Sequence, residues 1–259
     1  MKPKERRAYI LEKTRQEKFA SIDDLSKKFS VSVQIIRKDV NILCESGYLK
    51  RVRGGVKMPV GNDNISYDNR RIIHFDAKKQ IAKMVAKEIP DGSSLFFSIG
   101  TTPEIVAKEL IKHKNLKIFT NNINVALVCC ANESFEIILL GGKVRNKHRD
   151  ILGKDIEDFF SSYHVDFGIF GVGAIEKDGT LLDFTQDELL ARETIKRCSK
   201  KAFLVADYSK FNRKAYIKGG KIKEIDSFFC DQIPPKSIFK IIESNNIELF
   251  LPQWEKGTE

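Results

Sequence analysis

Short apolar runs alternate with helix-length amphipathic stretches over most of this chain, and no other feature constrains its fold as tightly. An apolar run of four or five residues has strand length, and it suits a strand buried on both faces; a half-exposed strand would alternate polar and apolar instead. Strands are expected at residues 95–99, 117–120, 136–140, 167–171 and 202–206, with "SFFC" at 227–230 as a last one. Helices fit at 103–113, 123–131 and 187–199, preceded by one from Asp76 to residue 89 with Ile81, Val85 and Ile89 on one side. Strands and helices in alternation make a mainly parallel sheet covered on both faces, so the expected fold class is α/β.

Ligands of open α/β sheets collect where strands end at their carboxyl side. The stretch "SLFFSIGTTPEI" puts Gly100, Thr101 and Thr102 at such a point, with Pro103 expected at the first helical position, where a missing N–H costs nothing. Backbone N–H groups, two hydroxyls and a helix dipole together suit a phosphate. Thr120, Asn121 and Asn122 follow the second strand, and Gly141 and Gly142 the third. In "ADYSKF" Asp207 and Lys210 close the fifth, the lysine suited to a phosphate and the carboxylate or asparagines to hydroxyls. Asp166 and Glu188 are further candidates. Each alone is an ordinary turn or a solvated side chain. Together they point to a phosphorylated small molecule.

The start of the chain serves a different chemistry. Of a net charge of +10, residues 1–57 carry +8, holding 15 Lys and Arg against 7 Asp and Glu. A basic head on a nearly neutral body calls for a polyanion, whereas charge kept for solubility would be spread evenly. Ser21 can cap a helix with Asp24 at its third position and Ile22, Leu25 and Phe29 on one face. After "FSV", Ser32 can cap a second helix. There Val33, Ile36, Val40 and Leu43 form a buried stripe, while Gln34, Arg37, Lys38 and Asn41 line the opposite face. Gly47 is expected to end it. "YLKRV", "RGG" and "VKM" then read as a strand, a tight turn and a returning strand. This is a winged helix-turn-helix. Arg37 and Lys38 can reach phosphates or guanine edges and Gln34 can pair with adenine, while Arg51 and Arg53 suit phosphate or minor-groove contact.

"VSVQIIRKDV" and "GYLKRVRGGV" resemble the DNA-binding head of the DeoR family of bacterial regulators. "IGTTPEIVAKEL", "LKIFTNNINVA", "IILLGG", "VDFGIFGVGAIEKDGTLLDF" and "LVADYSKFNRKAY" resemble its effector domain. The resemblance implies a sensor domain similar in fold to ribose-5-phosphate isomerase and coenzyme A transferases. It also implies a phosphorylated sugar or polyol, such as glycerol-3-phosphate, as effector, and repression that the effector relieves. Five positions depart from the family pattern. Ile35 stands where a threonine is usual, and Arg53 replaces the wing histidine. Ser98 replaces an aspartate, and His148 and Arg149 stand where a similar member carries small, glycine-rich residues. Losing a carboxylate and gaining Arg149 both favour an anion.

The expected organisation is a winged helix-turn-helix at 1–58, a linker at 59–75, a sugar-phosphate sensor domain at 76–252 and a tail at 253–259. A paired operator needs at least a homodimer or a homotetramer. The alternative is an isomerase-like enzyme with an appended DNA-binding head. Asp166, Asp183, Glu188 and Lys210 are acid–base candidates for it, but no nucleophile, base and orienting group form a recognisable set. No cofactor or metal is expected, since Cys44, Cys129, Cys130, Cys198, Cys230 and the four histidines lack ligand spacing. With an odd number of cysteines, no signal-peptide pattern and no run of the ~20 apolar residues that cross a bilayer, the expected setting is the reducing cytoplasm.

Overall fold

The computed structural model describes residues 3–45, 49–58, 67–211 and 213–252. The chain divides into two compact units, 1–73 and 74–259. The expected terminator Gly47, residues 59–66 of the linker and the tail from 253 lie outside the described residues.

In the first unit α1 (Pro3–Glu17) leads through β1 (Phe19–Ser21) into α2 (Ile22–Phe29) and α3 (Val33–Glu45). Strands β2 (Lys50–Val52) and β3 (Gly55–Lys57) follow, and the sheet order is β1-β3-β2. The Ser21 hydroxyl accepts the Asp24 N–H at 3.3 Å, and that of Ser32 accepts the Ile35 N–H at 3.4 Å, so both expected caps form. Ile10, Leu25, Ile36, Val40, Leu43 and Val56 make a buried core. The wing depends on two glycines. Gly54 has φ +78°, which a side chain rarely tolerates. A Cβ on Gly55 would lie 2.2 Å from the Ala20 carbonyl oxygen, where β1 presses on β3. A helix α4 (Tyr67–Ile72) occupies part of the expected linker. "YDNRRI" offers no apolar periodicity; it is held by burial of Tyr67 alone among its apolar residues, which pattern reading cannot detect.

The second unit opens with α5 (Phe75–Glu88) and then alternates β4 (Ser94–Phe97), α6 (Thr101–Glu109), β5 (Lys117–Thr120), α7 (Ile123–Cys129) and β6 (Glu136–Leu139). A hairpin of β7 (Val144–Arg145) and β8 (Asp150–Ile151) leads to α8 (Asp155–Ser161) and β9 (Val165–Phe170). Next come β10 (Ala174–Ile175), β11 (Thr180–Asp183), α9 (Gln186–Arg197), β12 (Ser199–Val205) and β13 (Ile217–Lys221). The unit closes with β14 (Ser227–Phe229), α10 (Lys236–Ser244) and β15 (Glu248–Phe250). The main sheet has the order β15-β14-β12-β9-β4-β5-β6, and all its pairings are parallel. Strand alternation feeds two cores. Leu95, Phe97, Ile118 and Val205 pack with Ile81 and Val85 of α5 and Ile105 of α6, while Phe96, Phe119, Leu204 and Phe228 pack with Phe160 of α8, Ile195 of α9 and Ile238 of α10. Strand order reverses between β4 and β9, and a reversal of this kind opens a crevice at the carboxyl ends.

The structure differs from the sequence reading at several elements, the β7–β8 hairpin and helices α8 and α10 among them. The helix expected at 103–113 begins at Thr101, because Gly100 with φ +120° turns the chain two residues earlier, and it ends at Glu109 before a single 3₁₀ turn. Pro103 is therefore third in the helix, still within the turn that needs no N–H donor. β10, β11 and β13 form an unexpected antiparallel sheet, and β15 is an unexpected seventh strand. These strands are short, and β13 is rich in lysine and glycine, so no apolar run marks them.

Candidate functional site

Two sites follow from this framework, one in each unit. On α3 the buried stripe fixes which side faces out. Ile36 and Val40 are fully buried, and Gln34, Arg37, Lys38 and Asn41 are exposed, as is Ser32 at the cap. Arg51 and Arg53 are exposed on the wing. Ile35 is 41% exposed between these polar side chains, an apolar contact surface on the same face. Not every cation of the head faces outward. Arg6 Nε donates to Asp39 Oδ2 at 2.5 Å, and Arg7 lies 3.6 Å from the other oxygen of Asp39, which is buried. This pair joins α1 to the back of α3. Sequence reading counted Arg6 and Arg7 with the DNA-facing charge and passed over Asp39.

In the second unit the loops after β4 and β5 are laced together at the carboxyl edge. Thr120 Oγ1 donates to the Phe97 carbonyl at 2.9 Å and accepts the Asn122 N–H at 3.0 Å. Asn122 Nδ2 donates to the Gly100 carbonyl at 3.1 Å, while its Oδ1 caps α7 by accepting the N–H groups of Asn124 and Val125. Asn121 Nδ2 donates to the Ile151 carbonyl at 3.0 Å, yet its buried Oδ1 has no hydrogen-bond partner among the described residues. Thr101 and Thr102 are buried in the first turn of α6. Ser98 donates its N–H to the Ile169 carbonyl across the β4–β9 reversal. Gly141 and Gly142 are exposed just beyond β6.

Charge enters this edge from two directions. Asp207 at the end of β12 is buried and accepts the Ser209 N–H at 3.0 Å as well as its hydroxyl. Burial alone would push its carboxyl up, but the charges of Lys210 and Lys78 and the hydrogen bond from Ser209 outweigh that and hold it below the ordinary value. Lys78, 5% exposed on α5, was missed by sequence reading. The available signal was a lysine three residues before Ile81 on an apolar stripe. On the other side Arg145 donates to both oxygens of Asp150, at 2.6 and 2.8 Å, and to Glu188 Oε1 at 3.2 Å. Burial works against the Arg145 charge, but these carboxylates prevail and raise its pKa. The Arg149 carbonyl accepts the Ile123 N–H, so the β7–β8 hairpin is tied to α7.

Three carboxylates considered as acids or bases are already engaged. Asp166 requires a correction. It lies at the amino end of β9, where its Oδ2 accepts the Ser94 N–H and hydroxyl at 2.9 and 2.6 Å, and Lys200 donates to its Oδ1 at 2.8 Å. In a parallel sheet that is the end opposite the candidate loops, and the strand expected at 167–171, which begins just after Asp166, already implied as much. The Lys200 and Ser94 hydrogen bonds hold its pKa at about 2. Asp183 Oδ2 accepts from Arg192 Nε at 2.9 Å and Oδ1 from the Gly173 N–H. Glu188, in the first turn of α9, accepts the Phe184 N–H at 3.1 Å with the oxygen not held by Arg145, and burial raises its pKa against that arginine's pull. Among the described residues no His, Cys, Asp and Glu cluster is placed to hold a metal, and no helix is long and apolar enough to cross a membrane.

Comparison with known proteins matches this layout. Residues 6–60 match the DeoR-like helix-turn-helix domain, and residues 73–232 the DeoR C terminal sensor domain. The chain is 40% identical over 251 residues to the glycerol-3-phosphate regulon repressor of Escherichia coli strain K12, covering 97% of this chain and all of that one. It is 34% identical over 235 residues to the HTH-type transcriptional repressor CsqR of the same strain, covering 91% of this chain and 90% of that one. Among solved structures it aligns with ribose 5-phosphate isomerase A of Methanocaldococcus jannaschii at 16% identity and a TM-score of 0.40, over 54% of this chain and 56% of that one. With residues 6–60 and 73–232 matched by its two domains and a relative 40% identical over nearly the whole chain, the chain belongs to the DeoR family.

Proposed function

We propose that this chain is a cytoplasmic transcriptional repressor of a carbon-metabolism operon, released from its operator by a phosphorylated sugar or polyol. The observation that carries the DNA half is the division of α3 into a buried apolar stripe and an exposed face of Gln34, Arg37, Lys38 and Asn41. A helix presented this way enters a major groove with its polar side toward the base edges, and the wing arginines sit on phosphates. The effector half is supported by the buried loops at the carboxyl edge and by Lys78, Lys210 and Asp207 beside them. Backbone N–H groups from 100–102 and the two ammonium groups suit a phosphate, and Asn121 and Asp207 suit hydroxyls. Glycerol-3-phosphate is the first effector to test, since the relative that is 40% identical carries its name. Turnover is disfavoured because Asp166, Asp183 and Glu188 are all held by ion pairs.

Effector binding need favour the weakly binding arrangement by only ~1–3 kcal/mol to change operator occupancy about 5- to 150-fold. In a mobility-shift assay with the chain's own promoter fragments, glycerol-3-phosphate should weaken the shifted complex, and the Lys210→Ala protein should keep the complex but lose that response. Equal sensitivity in the variant would remove Lys210 from the site. Conversion of any sugar phosphate by the protein would favour the enzyme reading.

A further inference from the structure

A helix without one charged side chain lies at the surface of the second unit. Between Lys117 and Glu133 the sequence has no charged residue, in a chain where 31% are charged. A helix apolar on all sides belongs in an interior. α7 nevertheless leaves Leu127 67% exposed, with Cys130 exposed at its end. It packs along β6, which ends the seven-stranded sheet and pairs only with β5 among the described strands. The outer N–H and C=O groups of β6 are thus an open edge. Native sheets protect such edges with lysine, proline or a bulge. β6 has none of these, and it shows Leu139 41% exposed. Its one charge, Glu136, is held by Lys117 at 2.9 Å.

An open strand edge between apolar surfaces is completed by another strand. A two-fold axis beside β6 presents the same strand antiparallel, so one patch serves both copies. The charges agree with that direction. Glu133 precedes the strand and Lys143 follows it, both exposed, so antiparallel pairing brings each acid toward the other copy's lysine. Ile137 and Ile138 pack into the two opposite cores, which the pairing would extend across the seam. We propose that two copies of this chain join along β6, antiparallel about a two-fold axis, with α7 covering the seam.

Sedimentation equilibrium on the full chain tests this without DNA or effector, so its result is independent of the regulatory reading. The unaltered protein should be dimeric or larger in the micromolar range. Leu127→Glu and Leu139→Lys should each raise the dissociation constant by about 30-fold or more, the effect of losing an interface anchor. Lys143→Glu should weaken association, and adding Glu133→Lys should restore it. Circular dichroism identifies any variant that fails to fold, in which case the exposed charge pair decides. Association unchanged in every folded variant would overturn the proposal. So would an unaltered protein that stays monomeric, because a different protein must then cover the patch.

Discussion

At the scale of residues, the side chains that matter most are charged groups that left water. Asp39 reads in the sequence as an ordinary acid and Asp207 as a candidate partner for ligand hydroxyls, yet each is buried and compensated by cations, Arg6 from another helix for the first, nearby Lys210 and distant Lys78 for the second. For Asp207 this has a consequence in pH. Its folded pKa lies below the ordinary 3.8, so folding favours the ionised form. That stabilisation is complete above 3.8 and is lost as pH falls through the lower folded value. Asp207→Asn should therefore cost roughly 1–3 kcal/mol at pH 7, the worth of hydrogen bonds to a buried charge. The gap to the unaltered protein in urea midpoints should narrow below pH 3.8. A gap independent of pH would mean that shape, not charge, is what the site requires. Lys78 was not legible in sequence, because a lysine on an apolar stripe reads as a snorkelling surface residue until Asp207 is found near it.

At the scale of elements, α3 was legible almost in full, from its Ser32 cap to its Leu43 contact, because cap and stripe are local. Its two exposed cations make a quantitative expectation. If Arg37 and Lys38 both neutralise phosphates, the double alanine variant should lower the slope of log affinity against log salt by about 1.8, at ~0.9 for each contact. An unchanged slope would move the phosphate contacts elsewhere on the head. Six of the seven strands of the main sheet were legible for a related reason. "SLFF" and "KIFT" send alternate residues into cores on both faces, and only continuous apolar runs satisfy that. β10, β11 and β13 were not legible, since one of them carries lysines and glycines and all pair antiparallel at short length.

At the scale of the whole molecule, the chain is two compact units with separate cores. A fragment of residues 74–259 should then fold alone, keep its far-UV circular dichroism and retain a thermal shift with glycerol-3-phosphate, but bind no DNA. Loss of folding in that fragment would show that the second core is incomplete without the first 73 residues. The sequence by itself determined what is local or periodic: the caps, the apolar stripes, the basic excess of residues 1–57, and the turn at Gly100. Only the tertiary structure decided which polar residues meet. It joined Arg145 to Glu188 and brought the charge of Lys78 to bear on Asp207. The physical reason is that burial and pairing of charge depend on groups distant in the chain, whereas hydrophobic periodicity is written within a few residues.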